Sequence, residues 1–192
     1  MRSSDVHRAV ALLRGVNVGG HAVLPMAELG SLVADLGYVS PKTVLQSGNI
    51  VFRPGTARGR ETTEDTEARL EAGLQARLAL DVAVLVRTAA EWNRLVSANP
   101  FVGEARTDPS HLLVMFLKDA PAGSAVTKLQ ASIKGAERVR AHGRQLYMVY
   151  PDGIGRSKLT SAMVERMLGT SGTVRNWNTV LKLQALVAAE PG

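Results

Sequence analysis

No cysteine occurs among the 192 residues, which excludes disulfides, thiolate nucleophiles and cysteine-ligated metal. Only four histidines are present, His7, His21, His111 and His142. Each stands alone, without a second histidine at helix or strand spacing, so no metal site is expected. Aromatic residues make up only 4%. Sheets that read RNA place aromatics on their central strands, and Phe52, Tyr147 and Tyr150 are the rings taken as available for this, a thin basis for reading nucleic acid. Long apolar runs are missing as well. The N-terminal stretch Ala9–Leu13 is interrupted by Arg14, too short for a signal-peptide core or a membrane span. The expectation is a cytoplasmic protein with no membrane partner and no cofactor motif.

What is present describes an ordinary globular chain. Hydrophobic residues make up 45% and charged residues 21%, and 18 glycines and 8 prolines punctuate the sequence. These values exclude disorder and any fibrous class. The net charge of +6 and pI near 10.1 suit nucleic acid, an anionic metabolite, or simply an arginine-rich proteome. A composition rich in Arg, Ala, Leu, Val and Gly is also what a GC-rich bacterial genome encodes.

Two similar passes of pattern run along the chain. The apolar run Arg8–Leu13 predicts a buried strand, followed by the glycine-punctuated loop Gly15–Gly20. Pro25 opens a helix whose face carries Met26, Leu29, Leu32, Val33 and Leu36, and Gly37 closes it. Thr43–Gln46 and Asn49–Phe52 flank Ser47-Gly48, the composition of a tight hairpin. Glu61–Leu80, with Leu70, Leu74 and Leu78 four apart, predicts an amphipathic helix, and Val82–Val86 a closing strand. The order is βαββαβ, the ferredoxin-like motif. Thr88 and Glu91 form a capping box for a further helix that ends before Asn99-Pro100-Phe101.

The second pass has a strand at His111–Leu117 and a helix marked by Val126, Leu129 and Ile133. A hairpin of 137–141 with 145–150 follows, then a helix marked by Leu159, Met163 and Met167, and a short strand at Thr173–Arg175. The last helix spans Asn178–Ala189. The predicted fold is α+β: two successive ferredoxin-like lobes with antiparallel sheets and a C-terminal helix. The expected boundaries are 1–98 for the first lobe, 99–110 for a connector, and 111–192 for the second lobe with its terminal helix. The halves share a topology without residue-by-residue likeness, so no duplication is read from them.

Five segments carry a resemblance: 11–20 (ALLRGVNVGG), 45–52 (LQSGNIVF), 99–101 (NPF), 150–159 (YPDGIGRSKL) and 173–183 (TVRNWNTVLKL). In this order they resemble the domain of unknown function 1697 family, from about Arg8 to the last helix. The resemblance implies a bacterial α+β protein of two ferredoxin-like subdomains with no assigned activity. His21 stands where the family pattern suggests lysine.

The same segments are rich in cations and amides: Arg14, Asn17, Gln46, Asn49, Arg156, Lys158, Arg175, Asn176, Asn178 and Lys182, with Asp152 their one carboxylate. A catalytic carboxylate pair is therefore poorly supported, and recognition of an anion better supported. Gly153–Lys158 is the strongest single candidate. If Ser157 caps a following helix, the N–H groups of its first turn stand beside Arg156 and Lys158 as an anion cradle. The Walker spacing is absent. Gly15–Gly20 occupies the place of a phosphate loop but lacks the dinucleotide spacing, and a tight βα connection accounts for it. Trp177, between Asn176 and Asn178, offers a ring that either stacks on a ligand or fills core. Ser47 and Thr179 have no assignable base and read as turn and cap residues.

The candidate ligand-binding set is thus Arg14, Asn17, Gln46, Asn49, Arg156, Ser157, Lys158, Arg175, Asn176 and Trp177. The leading function is binding of an anionic small molecule, a phosphorylated metabolite or a nucleotide. The alternatives are an enzyme using the same amides with His111 or Asp152, nucleic-acid binding, and cations and amides that chiefly cement the interface between the lobes. No catalytic residue and no oligomeric state is assigned.

Overall fold

The computed structural model describes residues 8–18, 23–55 and 61–189. The chain forms two compact units. Residues up to Asn93 group with those from Leu183 onward, and Arg94–Lys182 form the second unit. The division therefore falls inside two helices, whereas the sequence pattern puts the boundaries at 98 and 111 and keeps the terminal helix whole.

The first unit contains β1 (Ala9–Leu13), α1 (Met26–Asp35), β2 (Val39–Val44), β3 (Asn49–Arg53), α2 (Thr63–Leu78), β4 (Val84–Thr88) and the start of α3 (Ala89–Ser97). Its sheet runs in the order β2-β3-β1-β4 with every pair antiparallel, the ferredoxin-like arrangement. Alternation builds the core: Ala9, Ala11, Leu13, Ile50, Phe52, Val84 and Val86 meet Leu29, Leu32 and Val33 of α1 and Leu70 and Leu74 of α2. The Tyr38 and Phe52 rings pack 4.8 Å apart within it. Helix α2 starts on a reciprocal capping box, Thr62 with Asp65, and α3 on the expected one. The Thr88 N–H donates to the Glu91 carboxylate at 2.8 Å and the Glu91 N–H to the Thr88 hydroxyl at 3.2 Å.

The hairpin differs from expectation. Val44 faces Asn49, so the connection is Leu45–Gly48 and not the dipeptide Ser47-Gly48. Leu45 and Gly48 both take positive φ, 60° and 72°. Strand β2 also starts earlier, at Val39, and its register slips between Val39 and Lys42. Pro41 explains this, since proline has no N–H for a ladder and survives in an edge strand beside a bulge.

The second unit contains the end of α3, α4 (Val102–Thr107), β5 (Leu112–Leu117), α5 (Gly123–Ser132), β6 (Arg138–His142), β7 (Gln145–Val149), a 3₁₀ turn (Ile154–Arg156), α6 (Ser161–Leu168), β8 (Gly172–Asn176) and the start of α7 (Trp177–Ala188). Its sheet order is β6-β7-β5-β8, again all antiparallel. Leu113, Met115, Leu117, Leu146 and Met148 form its core with Leu129 of α5 and Val164 and Leu168 of α6. Helix α4 lies in the stretch read as a plain connector; its six residues carry no apolar face, so periodicity gives no sign of it. No helix among the described residues is long and apolar enough to cross a membrane.

Candidate functional site

The β6–β7 pairing fixes where loops of the second unit meet. Arg138 pairs with Val149, and Val149 also pairs with Leu112. The chain entering β6 and the chain leaving β7 therefore lie at one end of the sheet, beside the start of β5. Between them is a cavity of about 530 Å³, within the roughly 300–1,000 Å³ of small-molecule sites. Lys134 and Glu137 line it from the α5–β6 connection, and Asp152, Arg156 and Lys158 from the β7–α6 connection. Ile133, Leu159 and Met163 supply apolar wall. A smaller hollow of about 220 Å³ shares Glu137, Asp152 and Arg156 and adds Tyr150, Gly153 and Ser157.

Local chemistry shapes this cleft. The Gly153 N–H closes a turn onto the Tyr150 carbonyl at 2.9 Å, and Gly153 sits at φ 80°, where a side chain is strained. The Ser157 hydroxyl donates to the Glu137 carboxylate and accepts the Leu159 N–H at 3.0 Å. That hydroxyl, followed by the backbone at Glu137, holds the Glu137 carboxyl below the usual range. Tyr150 donates its hydroxyl to the Leu159 carbonyl at 3.0 Å. Burial, aided by the charge of Glu137, pushes its phenol up to about 12.

The expected role of Ser157 as a helix cap is corrected. Helix α6 begins at Ser161 and is capped by Thr160, whose hydroxyl accepts the Met163 N–H at 3.2 Å. Leu159 is buried in the core ahead of the helix, so the chain must turn inward first. The cradle of helix N–H groups beside Arg156 and Lys158 is therefore absent at Ser157.

The other predicted residues stand elsewhere. In the first unit, Arg14 is exposed and its N–H bonds to the Ala83 carbonyl at 2.9 Å. Asn17 is a brace: its amide donates to the carbonyls of Leu24 (2.9 Å) and Gln46 (2.7 Å) and accepts the Leu24 N–H at 2.8 Å. The side chain of Gln46 is exposed. Asn49 is fully buried and pins the β2–β3 turn through the Val44 carbonyl at 2.8 Å and the Ser47 hydroxyl at 3.0 Å. Residues 19–22, including Gly19, Gly20 and His21, lie outside the described residues.

In the second unit Arg175 is buried, bonded to the Thr173 hydroxyl at 2.7 Å and the Val174 carbonyl at 2.8 Å. Burial pushes its guanidinium down to about 10. Asn176 caps α7 by accepting the Thr179 N–H at 2.9 Å, and Trp177 is 4% exposed, a core ring. None of the expected amides lines the cleft. His111 bonds Asp108 at 2.7 Å, and its ring stands 3.6 Å from where a Cβ on Gly153 would lie. All three Phe, all three Tyr and both Trp are buried, so base stacking has no exposed ring of these three types to use.

The fold thus brings together Arg156, Ser157 and Lys158 from the predicted set and adds Lys134, Glu137 and Asp152. Lys134 and Glu137 carry no motif in the sequence, although the βαββαβ order itself places the connection that holds them opposite 150–158.

A family model described as a protein of unknown function (DUF1697) matches residues 6–147, and the chain belongs to that family. The matched span includes Lys134 and Glu137 and stops short of the β7–α6 connection. Among solved structures, a conserved bacterial protein of Streptococcus pneumoniae is similar with a TM-score of 0.73 at 17% identity, covering 94% of this chain and 98% of that one. At that identity the likeness bears on the fold alone, and it agrees with two ferredoxin-like lobes. No curated protein matches the chain.

Proposed function

We propose that this DUF1697 protein binds an anionic small molecule in the cleft of its second unit. The observation that carries the reading is the meeting of Lys134, Arg156 and Lys158, from two separate connections, around one cavity of about 530 Å³. Lysine and arginine that line a concavity with apolar wall supply what a carboxylate or phosphate needs, charge-assisted hydrogen bonds in a site that displaces water from the rest of the ligand. Arg14 and Arg175 are not part of this reading. The first belongs to the other unit, and the second is bonded inside its own strand.

The test is a thermal-shift screen at low salt with inorganic phosphate, simple carboxylates, sugar phosphates and nucleotides. A ligand present at a hundredfold its Kd adds about 2.7 kcal/mol of stability, a shift easily read. The expected result is a rise for at least one member of the set that the double variant Arg156→Ala/Lys158→Ala abolishes. A flat response across the whole set removes the proposal.

A further inference from the structure

The charges around the cleft are not uniform. The larger hollow sets three cations, Lys134, Arg156 and Lys158, against Glu137 and Asp152. The smaller one sets Arg156 alone against the same two acids. Positive charge therefore dominates one end and negative charge the other, and Ile133, Leu159 and Met163 lie on the positive side. A doubly or triply charged phosphate would stand beside two carboxylates, an arrangement that costs binding energy through like charge.

Glu137 is also held in place. Ser157 donates to it, and its carboxylate folds back over Gly135, where an added Cβ would lie 2.2 Å from Oε2. A carboxylate has about four lone-pair positions, so these contacts leave it acceptor capacity toward the hollows it lines. Glutamate is ionised at neutral pH at its ordinary value, and the same Ser157 bond lowers that value further.

We infer that the cleft takes a bipartite ligand, with a singly charged anion at Lys134 and Lys158, an apolar middle against the wall of Ile133, Leu159 and Met163, and an ammonium group at Glu137 and Asp152. This rests on the anion-binding reading above and narrows it from anions in general to zwitterions.

Calorimetric titration of the full chain separates the two. The probes are ω-amino carboxylates with chains of four to eight carbons, the parent carboxylates, the parent amines and inorganic phosphate. At the fitting length the amino carboxylate binds about tenfold tighter than its parent acid, the gain of one charge-assisted contact. Glu137→Gln and Asp152→Asn each remove that gain, so that the amino carboxylate binds either variant no more tightly than its parent acid does. Glutamine still accepts the Ser157 hydroxyl, so the loop keeps its shape. Gly135→Ala, which displaces the carboxylate without deleting it, reduces the gain as a second check. If every parent acid binds as well as its amino form, and Lys158→Ala weakens it, the zwitterion is excluded while the anion site stands. If neither acids nor phosphate give heat, both readings fall.

Discussion

The two units share strand order and differ in how each anchors its last strand. In both, that strand is a sheet edge, and a helix carboxylate bonds an N–H it would otherwise present to solvent. Glu71 of α2 accepts the Val84 N–H at 2.9 Å, and Glu165 of α6 accepts the Gly172 N–H at 2.7 Å. Register makes these positions equivalent, since Leu13 pairs with Val84 and Leu117 with Gly172. Both strands also carry a buried arginine folded back on the carbonyl before it, Arg87 on Val86 and Arg175 on Val174, each at 2.8 Å. The first unit then adds Glu67, which accepts the Val86 N–H at 2.8 Å and lies 3.9 Å from Arg87. The position four residues before Glu165 is Ser161, the first of α6, so the shorter helix has no such carboxylate. A shared topology therefore imposes a sealed edge, while the means of accommodating the buried guanidinium stay local.

Glu67 is the largest lever on that contrast. Its side chain and that of Arg87 are 2% and 0% exposed, and removing one charge of such a buried pair costs about 3–5 kcal/mol. Glu67→Leu should show that loss in denaturant unfolding. Glu165→Leu, which loses one edge hydrogen bond, should cost about 1 kcal/mol. Equal losses would mean that the buried pair adds nothing beyond the edge bond. Glu67→Gln, which keeps an acceptor and drops the charge, apportions the difference.

The hairpins give a smaller test of the same contrast. Gly48 has φ 72°, and a Cβ there would lie 2.4 Å from Val16 Cγ2 and 2.9 Å from Leu13 Cβ. Backbone strain and a clash with core then act together, so Gly48→Ala should cost about 3 kcal/mol. Gly143, in the two-residue β6–β7 turn, has φ 57° and would meet only Gln145 Oε1 at 3.3 Å. Gly143→Ala should cost about 1 kcal/mol. A ratio near one would show that Val16 and Leu13 yield, and that the first turn is no more constrained than the second.

The connections on which the functional reading depends differ as well. In the first unit, a Cβ on Gly55 would lie 2.4 Å from the Gly37 carbonyl, and Tyr38 donates to Glu61 at 3.1 Å. There the chain entering β2 and the chain leaving β3 press together. In the second unit Glu137 and Ser157 make the corresponding bond, yet a cavity opens beside it.

Apolar spacing makes the strands and most helices legible in sequence, because alternation and 3.6-residue periodicity are direct consequences of one buried face. Helix α4 is illegible because Val102–Thr107 buries no residue fully, and β2 is misplaced because Pro41 breaks its pattern. Of the candidate cleft, the stretch with Arg156, Ser157 and Lys158 is legible as a glycine-flanked basic loop. The roles of Arg175, Asn49 and Trp177 are not, since burial decides whether a polar or aromatic residue is ligand or scaffold, and one residue's type does not reveal it. Lys134 and Glu137 reach the cleft only through the pairing of Arg138 with Val149.

The smallest expected effect concerns two phenols of the second unit. Tyr147 donates its hydroxyl to the Leu95 carbonyl at 2.6 Å, and burial pushes it, like Tyr150, up to about 12 from 10.0. A raised folded value means that each contributes stability fully present below pH of about 10 and lost as pH rises through about 12. Arg175 opposes them. Its folded value of about 10 lies below the ordinary 12.5, so the cost of burying its charge is relieved as pH rises across the same window. Two groups against one give a net fall in stability from about pH 10 to about pH 12. Tyr147→Phe should cost about 1 kcal/mol at neutral pH, for the Leu95 carbonyl left unbonded, and should make the alkaline decline shallower. Denaturant unfolding at about pH 8 and about pH 11, on either side of the ordinary phenol value, reads both. An unchanged alkaline decline would assign the titration to groups outside this core and leave Tyr147 with a packing role alone.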